Sequence, residues 1–106
     1  MEEERSEKSE NAEKLPNEIA FSRISNELSQ MYSAKNHDYG DSFGRSVRNY
    51  GLISALTRIS DKFNRLESLV LNPNGARVSS ERLEDTLRDL ASYCIMTIMC
   101  LEEPQC

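Results

Sequence analysis

SERLEDTLRDLASYCIMTIMCL, Ser80 to Leu101, carries the strongest helical signal in the chain. Leu83, Leu87, Leu90, Cys94, Ile98 and Leu101 recur at three- and four-residue steps, which places them on one stripe of an α-helix. Glu81, Asp85 and Asp89 step by four and form a second, acidic stripe away from the first. Stacked like charges cost a few tenths of a kcal/mol per pair in an isolated helix, so a cation is expected to offset them. A metal ion or basic side chains from a neighbouring helix would serve. From Tyr93 onward the helix is apolar nearly all round, which suits a central helix or one shared between subunits.

Upstream, LISALTRISDKFNRLESLVL predicts a second well-marked helix, with Leu52, Leu56, Ile59, Phe63, Leu66 and Val70 as its apolar stripe. Arg58, Asp61, Lys62 and Arg65 fall on a charged face that borders this stripe. Such a face can line a cleft, or form an i, i+4 ladder between Asp61 and Arg65. Asn72-Pro73-Asn74-Gly75 separates the two helices by turn chemistry, and Ser79 or Ser80 is placed to cap the later one.

A further helix is expected from about Asn17 to Lys35, opened by Pro16 and carrying Phe21, Ile24, Leu28, Met31 and Tyr32 on one side. KNHDYGDSFG, Lys35 to Gly44, reads as a loop dense in hydrogen-bonding groups, among them His37, Asp38, Tyr39 and Asp41. Helix-ending and capping roles account for the same residues. A short helical turn is expected over Ser42 to Asn49. Residues 1–15 are almost wholly polar and predict a disordered tail, 16–102 an all-α domain, and 103–106 a short C-terminal tail.

The 106 residues allow one small domain at most, with a core that oligomerisation would complete. The expected fold is all-α, a bundle of three main helices plus a short turn, assembled as a homo-oligomer. A net charge of -5 argues against binding along a nucleic-acid backbone but leaves free nucleotides open. No stretch is long and apolar enough to predict a membrane span. The three cysteines have neither CxxC spacing nor an even count and read as reduced, cytoplasmic thiols.

KNHDYGDSF (Lys35 to Phe43), YGLISALTRISDKFNRLESL (Tyr50 to Leu69) and ERLEDTLRDLASYCIMT (Glu81 to Thr97) together resemble the nucleotide modification associated domain 1 family. Its members are small all-helical proteins of bacteriophages and prophages. The resemblance runs from about Leu28 to Leu101 and implies a nucleotide-related role in a bacterial host cytoplasm. There is a more distant similarity to MazG-like all-α nucleoside triphosphate pyrophosphohydrolases, which hold magnesium on a triphosphate with paired acids on two helices. This chain departs from that pattern, offering only Asp61 where a pair would stand and E-x-x-x-D-x-x-x-D spacing on its last helix.

Two functions follow as expectations. In an enzyme, Asp61, Glu81, Asp85 and Asp89 would hold magnesium, Arg58, Lys62 and Arg65 would contact phosphates, and Asp38 or His37 would orient water. Tyr39 or Tyr50 would stack on a base or pack in the core. In a binding module, the same residues would capture a nucleotide, or a host or phage protein, without turnover.

Overall fold

The computed structural model describes residues 15–39, 41–72 and 80–102, the side chains of Asp38, Tyr39, Ser80, Glu81 and Arg82 excepted. The expected tails over 1–15 and 103–106 therefore fall, Leu15 apart, outside the described residues. Four helices follow in order: α1 Pro16–Tyr39, α2 Ser42–Tyr50, α3 Leu52–Leu71 and α4 Ser80–Glu102. Among the described residues there is no strand, and the protein is all-α. The chain divides into two units, Met1–Ala34 and Lys35–Cys106.

The first unit holds most of α1. The Leu15 carbonyl accepts from the N–H groups of Glu18 and Ile19 at 2.9 and 3.2 Å, which closes the first turn. Glu18 lies in that turn, where a carboxylate meets the positive end of the helix dipole. Arg23 and Glu27 pair at 3.2 Å along the exposed surface, a bond of i, i+4 type that adds a few tenths of a kcal/mol.

The helix does not end at Lys35 as its composition suggested. It continues through Lys35, Asn36, His37 and Asp38 to Tyr39. None of these residues breaks a helix, and the first glycine comes only at position 40, so helical hydrogen bonding propagates through them. The polar density read as a loop is thus the last turns of α1, with His37 as a base at the negative end of the dipole.

In the second unit, Asp41 caps α2 by accepting from the Gly44 N–H at 3.3 Å, and its other carboxylate oxygen pairs with Arg48 at 3.3 Å. Gly51 both ends α2 and begins α3. Its N–H donates to the Val47 carbonyl at 2.7 Å, and its own carbonyl accepts from the Ser54 N–H at 3.0 Å. With φ 84° and ψ -174° the residue lies in a region open in practice to glycine alone. A Cβ there would meet nothing within 4 Å, so the penalty of any side chain is torsional, not steric crowding. Gly51→Ala is expected to cost ~1–3 kcal/mol, measured by urea unfolding. An unchanged midpoint would show that the junction tolerates another backbone geometry.

Helices α3 and α4 form an antiparallel pair. Lys62 meets Asp89 and Arg58 meets Tyr93, so a four-residue step back along α3 matches a four-residue step forward along α4. Ala55 (1% exposed) and Leu69 are buried on α3, and Thr86 (3%) on α4, with Ile59, Leu66, Leu83, Leu90 and Tyr93 half-buried. Phe43 of α2 completes this small core.

The packing face takes in only part of each stripe that periodicity marks: Ile59, Leu66, Leu83 and Leu90 are half-buried in it. Leu52, Leu56, Phe63 and Val70 of the expected α3 stripe are exposed, as are Leu87, Cys94, Ile98 and Leu101 of the expected α4 stripe. At about 100° per residue, each helix is turned roughly a quarter revolution from the packing that apolar spacing alone would select. Beside those four half-buried residues the interface runs through Ala55, Lys62, Leu69, Thr86, Asp89 and Tyr93.

Cys94 is a free, exposed thiol, whereas Cys100 is disulfide-bonded, which corrects the expectation of reduced thiols throughout. Among the described residues no helix is long and apolar enough to cross a membrane.

Candidate functional site at the α3–α4 seam

The seam between α3 and α4 brings cations, acids and aromatic rings together. The Lys62 ammonium lies 3.2 Å from an Asp89 carboxylate oxygen, with both side chains about one quarter to one third exposed. One turn back along α3, the Arg58 guanidinium carbon sits 5.8 Å from the centre of the Tyr93 ring. That distance is within cation–π range. Phe43 stacks on the same tyrosine, with ring centres 5.8 Å apart and planes 22° from parallel. A stacked pair of this kind contributes about 0.5–1.5 kcal/mol beyond its buried area.

Helical geometry places more charge on this side. Arg65 is one turn beyond Lys62, and Asp85 one turn before Asp89, so antiparallel register sets Arg65 opposite Asp85. Both are exposed, and neither forms an ion pair among the described residues. Asp61 is also exposed and borders the same polar side. An open hollow of about 480 Å³ lies on the side of α3 turned away from α4, lined by Leu56, Thr57, Arg58, Ser60, Asp61 and Asn64. Farther along α4, Arg88 donates to Glu84 at 2.8 and 3.1 Å.

The residues singled out in the sequence are distributed unevenly. Lys62 and Asp89 are in contact, and Arg58 lies on the same seam. Arg65, Asp61 and Asp85 flank it without touching. His37 is exposed in the last turn of α1. The side chains of Asp38, Tyr39 and Glu81 lie outside the described residues. Tyr50 is exposed at the end of α2.

Two functional candidates escaped the sequence reading. Tyr93 follows Asp89 by one helical turn on the same face, a spacing visible in the sequence, but it stood there only as the start of the apolar end of the helix. Phe43 reaches it from a helix fifty residues earlier in the chain, and no local pattern announces that pairing.

Among the described residues, no three of His, Cys, Asp and Glu are grouped to hold a metal ion. The nearest cation to Asp89 is the Lys62 ammonium, which already meets its charge. The described donors therefore do not form a magnesium cage by themselves.

A small all-α protein with a cationic, aromatic and acidic seam between two antiparallel helices is the class that fold and geometry define. Residues 35–101 match the nucleotide modification associated domain 1 family, and the chain belongs to it. No curated protein and no solved structure matches the chain.

Proposed function

We propose that this protein binds a nucleotide at the α3–α4 seam, through its phosphates and its base. The observation that carries this reading is the arrangement of Arg58, Lys62 and the Phe43–Tyr93 stack within the matched region of the family. Arg65 is the first phosphate contact, because it is exposed and no acid among the described residues holds its guanidinium in an ion pair. Its planar fork suits two phosphate oxygens at once. Lys62 adds a point charge by partial release from Asp89. Arg58 holds the Tyr93 ring in place, and a base edge stacks or docks against the aromatic pair.

A second reading adds turnover, the hydrolysis of a nucleoside triphosphate, with Asp61 and Asp85 as the exposed acids beside the phosphate contacts. It is supported by the exposure of Asp61 and Asp85 and their lack of an ion-pair partner among the described residues. In this reading His37 or Asp38 would orient the water. The alternative without chemistry is a module that sequesters a nucleotide or a protein partner. It is supported by Lys62–Asp89 and Arg58–Tyr93, which give the ammonium and the guanidinium partners before any ligand arrives.

Calorimetric titration with nucleoside mono-, di- and triphosphates, with and without magnesium, tests the proposal. Saturable binding is expected, and Arg65→Ala should weaken it by about tenfold or more, the equivalent of one lost hydrogen bond to a charged group. Binding that is absent for all nucleotides, or indifferent to Arg65, would remove the assignment. Chromatography of the same mixtures reads turnover directly: monophosphate and pyrophosphate that form only with magnesium support the hydrolase, and unchanged nucleotide supports the module.

A further inference from the structure

The three cations of the seam differ in how available they are to a ligand. The Arg58 guanidinium lies over the Tyr93 ring, and the Lys62 ammonium is held 3.2 Å from the Asp89 carboxylate. Arg65 is exposed and has no ion pair among the described residues. Lys62 and Arg65 are three residues apart on α3, so their Cβ atoms stand about 5–6 Å from each other and one ligand can meet both. Arg58 and Arg65, seven residues apart, are separated by about 10 Å along the axis, with Lys62 between them.

We infer that Asp89 is a built-in competitor for Lys62, and that it makes the seam select nucleoside di- and triphosphates over monophosphates. The inference rests on the nucleotide reading above and adds to it a count of phosphates. The Asp89 carboxylate is tethered beside the ammonium by the packing of α4 on α3. A tethered group competes at an effective concentration of millimolar order, which a free anion at lower concentration does not match. A lone phosphate therefore takes Arg65 and leaves Lys62 with Asp89. A monophosphate whose base sits on the aromatic pair brings its one phosphate towards the occupied Lys62 and leaves Arg65 unused.

Two joined phosphates change the contest. Once the terminal one is on Arg65, the next is tethered as Asp89 is, and it carries more charge than a carboxylate. It takes Lys62, and Asp89 is released. At 34% exposed the freed carboxylate turns into water and is not stranded in a dry interior. The surroundings make close contact decisive. Arg58, Lys62 and Arg65 are balanced in formal charge by Asp61, Asp85 and Asp89 on the same side, so these six residues set up no net positive field to collect anions at a distance. A ligand that reaches both Arg65 and Lys62 is favoured over one that reaches either alone.

Calorimetric titration of the full chain without magnesium tests this, with inorganic phosphate, pyrophosphate and the mono-, di- and triphosphates of the common nucleosides as probes. Pyrophosphate should bind about tenfold tighter than phosphate, and nucleoside diphosphates about tenfold tighter than monophosphates, the equivalent of one added hydrogen bond to a charged group. Asp89→Asn should tighten di- and triphosphates about fivefold, because the ion pair no longer has to open. Asp85→Asn makes the same change of charge one turn away and should shift them by about twofold or less. Equal tightening by the two substitutions makes the effect one of general repulsion and overturns the inference, as does an Asp89→Asn variant that binds no tighter than wild type. If Asp89→Asn unfolds, the wild-type chain still decides: equal affinities for phosphate and pyrophosphate refute the competitor. Nucleotides that bind equally well with one, two or three phosphates leave the nucleotide site standing and remove this inference alone. Absence of binding by every nucleotide removes both.

Discussion

Phe43→Ala is expected to lower stability by ~3–5 kcal/mol, the usual cost of emptying a buried phenylalanine site. Phe43 is 7% exposed and supplies one ring of the stack on Tyr93, so its removal opens a void and frees the ring that Arg58 covers. The buried set is small, with Ala55, Leu69 and Thr86 the other buried residues named in the second unit besides Gly44. Little else is available to collapse into the gap. A domain of this size has roughly 5–10 kcal/mol of total stability, so the variant should unfold at a far lower urea concentration. Phe43→Leu keeps the burial and loses only the aromatic pairing, and should cost about 1 kcal/mol. Tyr50→Ala, at an exposed ring, should stay within about 0.5 kcal/mol of wild type. Equal losses for Phe43 and Tyr50 would mean that Phe43 is not part of the core.

Asp89→Asn is expected to lower the melting temperature by roughly 5–15 °C, the effect of losing about 1–2 kcal/mol in a domain this small. The figure lies between an exposed pair, worth up to about 1 kcal/mol, and a buried one, whose disruption costs about 3–5. Lys62 and Asp89 are partly shielded, and removing the carboxylate leaves the ammonium at a helix interface without its acid. Replacing both residues, with Lys62→Met and Asp89→Leu together, should recover much of the loss, because no charge is then stranded. Asp85→Asn is the contrast. Asp85 is exposed and without an ion pair among the described residues, so its substitution should be neutral or slightly stabilising.

Magnesium titrated into the same melts separates structure from metal binding. A fall in stability at Asp89 that magnesium does not change makes the residue an ion-pair partner. A variant as stable as wild type, whose melt no longer responds to magnesium, makes it a ligand instead.

The helices themselves were legible in the chain. Leu52 to Leu71 and Ser80 to Leu101 carry apolar residues at helical spacing over five turns or more, and periodicity of that length reflects backbone geometry directly. The break at Tyr50-Gly51 was also local, since a backbone with positive φ selects glycine wherever it occurs. The one element misread was KNHDY, where capping residues stood inside the last turns of α1 because no true breaker precedes position 40.

Which faces meet was settled by the tertiary structure. Apolar spacing marks the side of a helix that prefers to leave water, but does not say what covers it. In α3 and α4 the most buried positions are Ala55, Leu69 and Thr86, and Lys62 and Asp89 neutralise each other across the contact. The acidic stripe predicted a compensating cation without naming it. Only the antiparallel register, in which Lys62 comes opposite Asp89 and Arg58 opposite Tyr93, chose among the bases of α3. That choice depends on distances between residues 27 and 35 positions apart in the chain, and no local pattern encodes them.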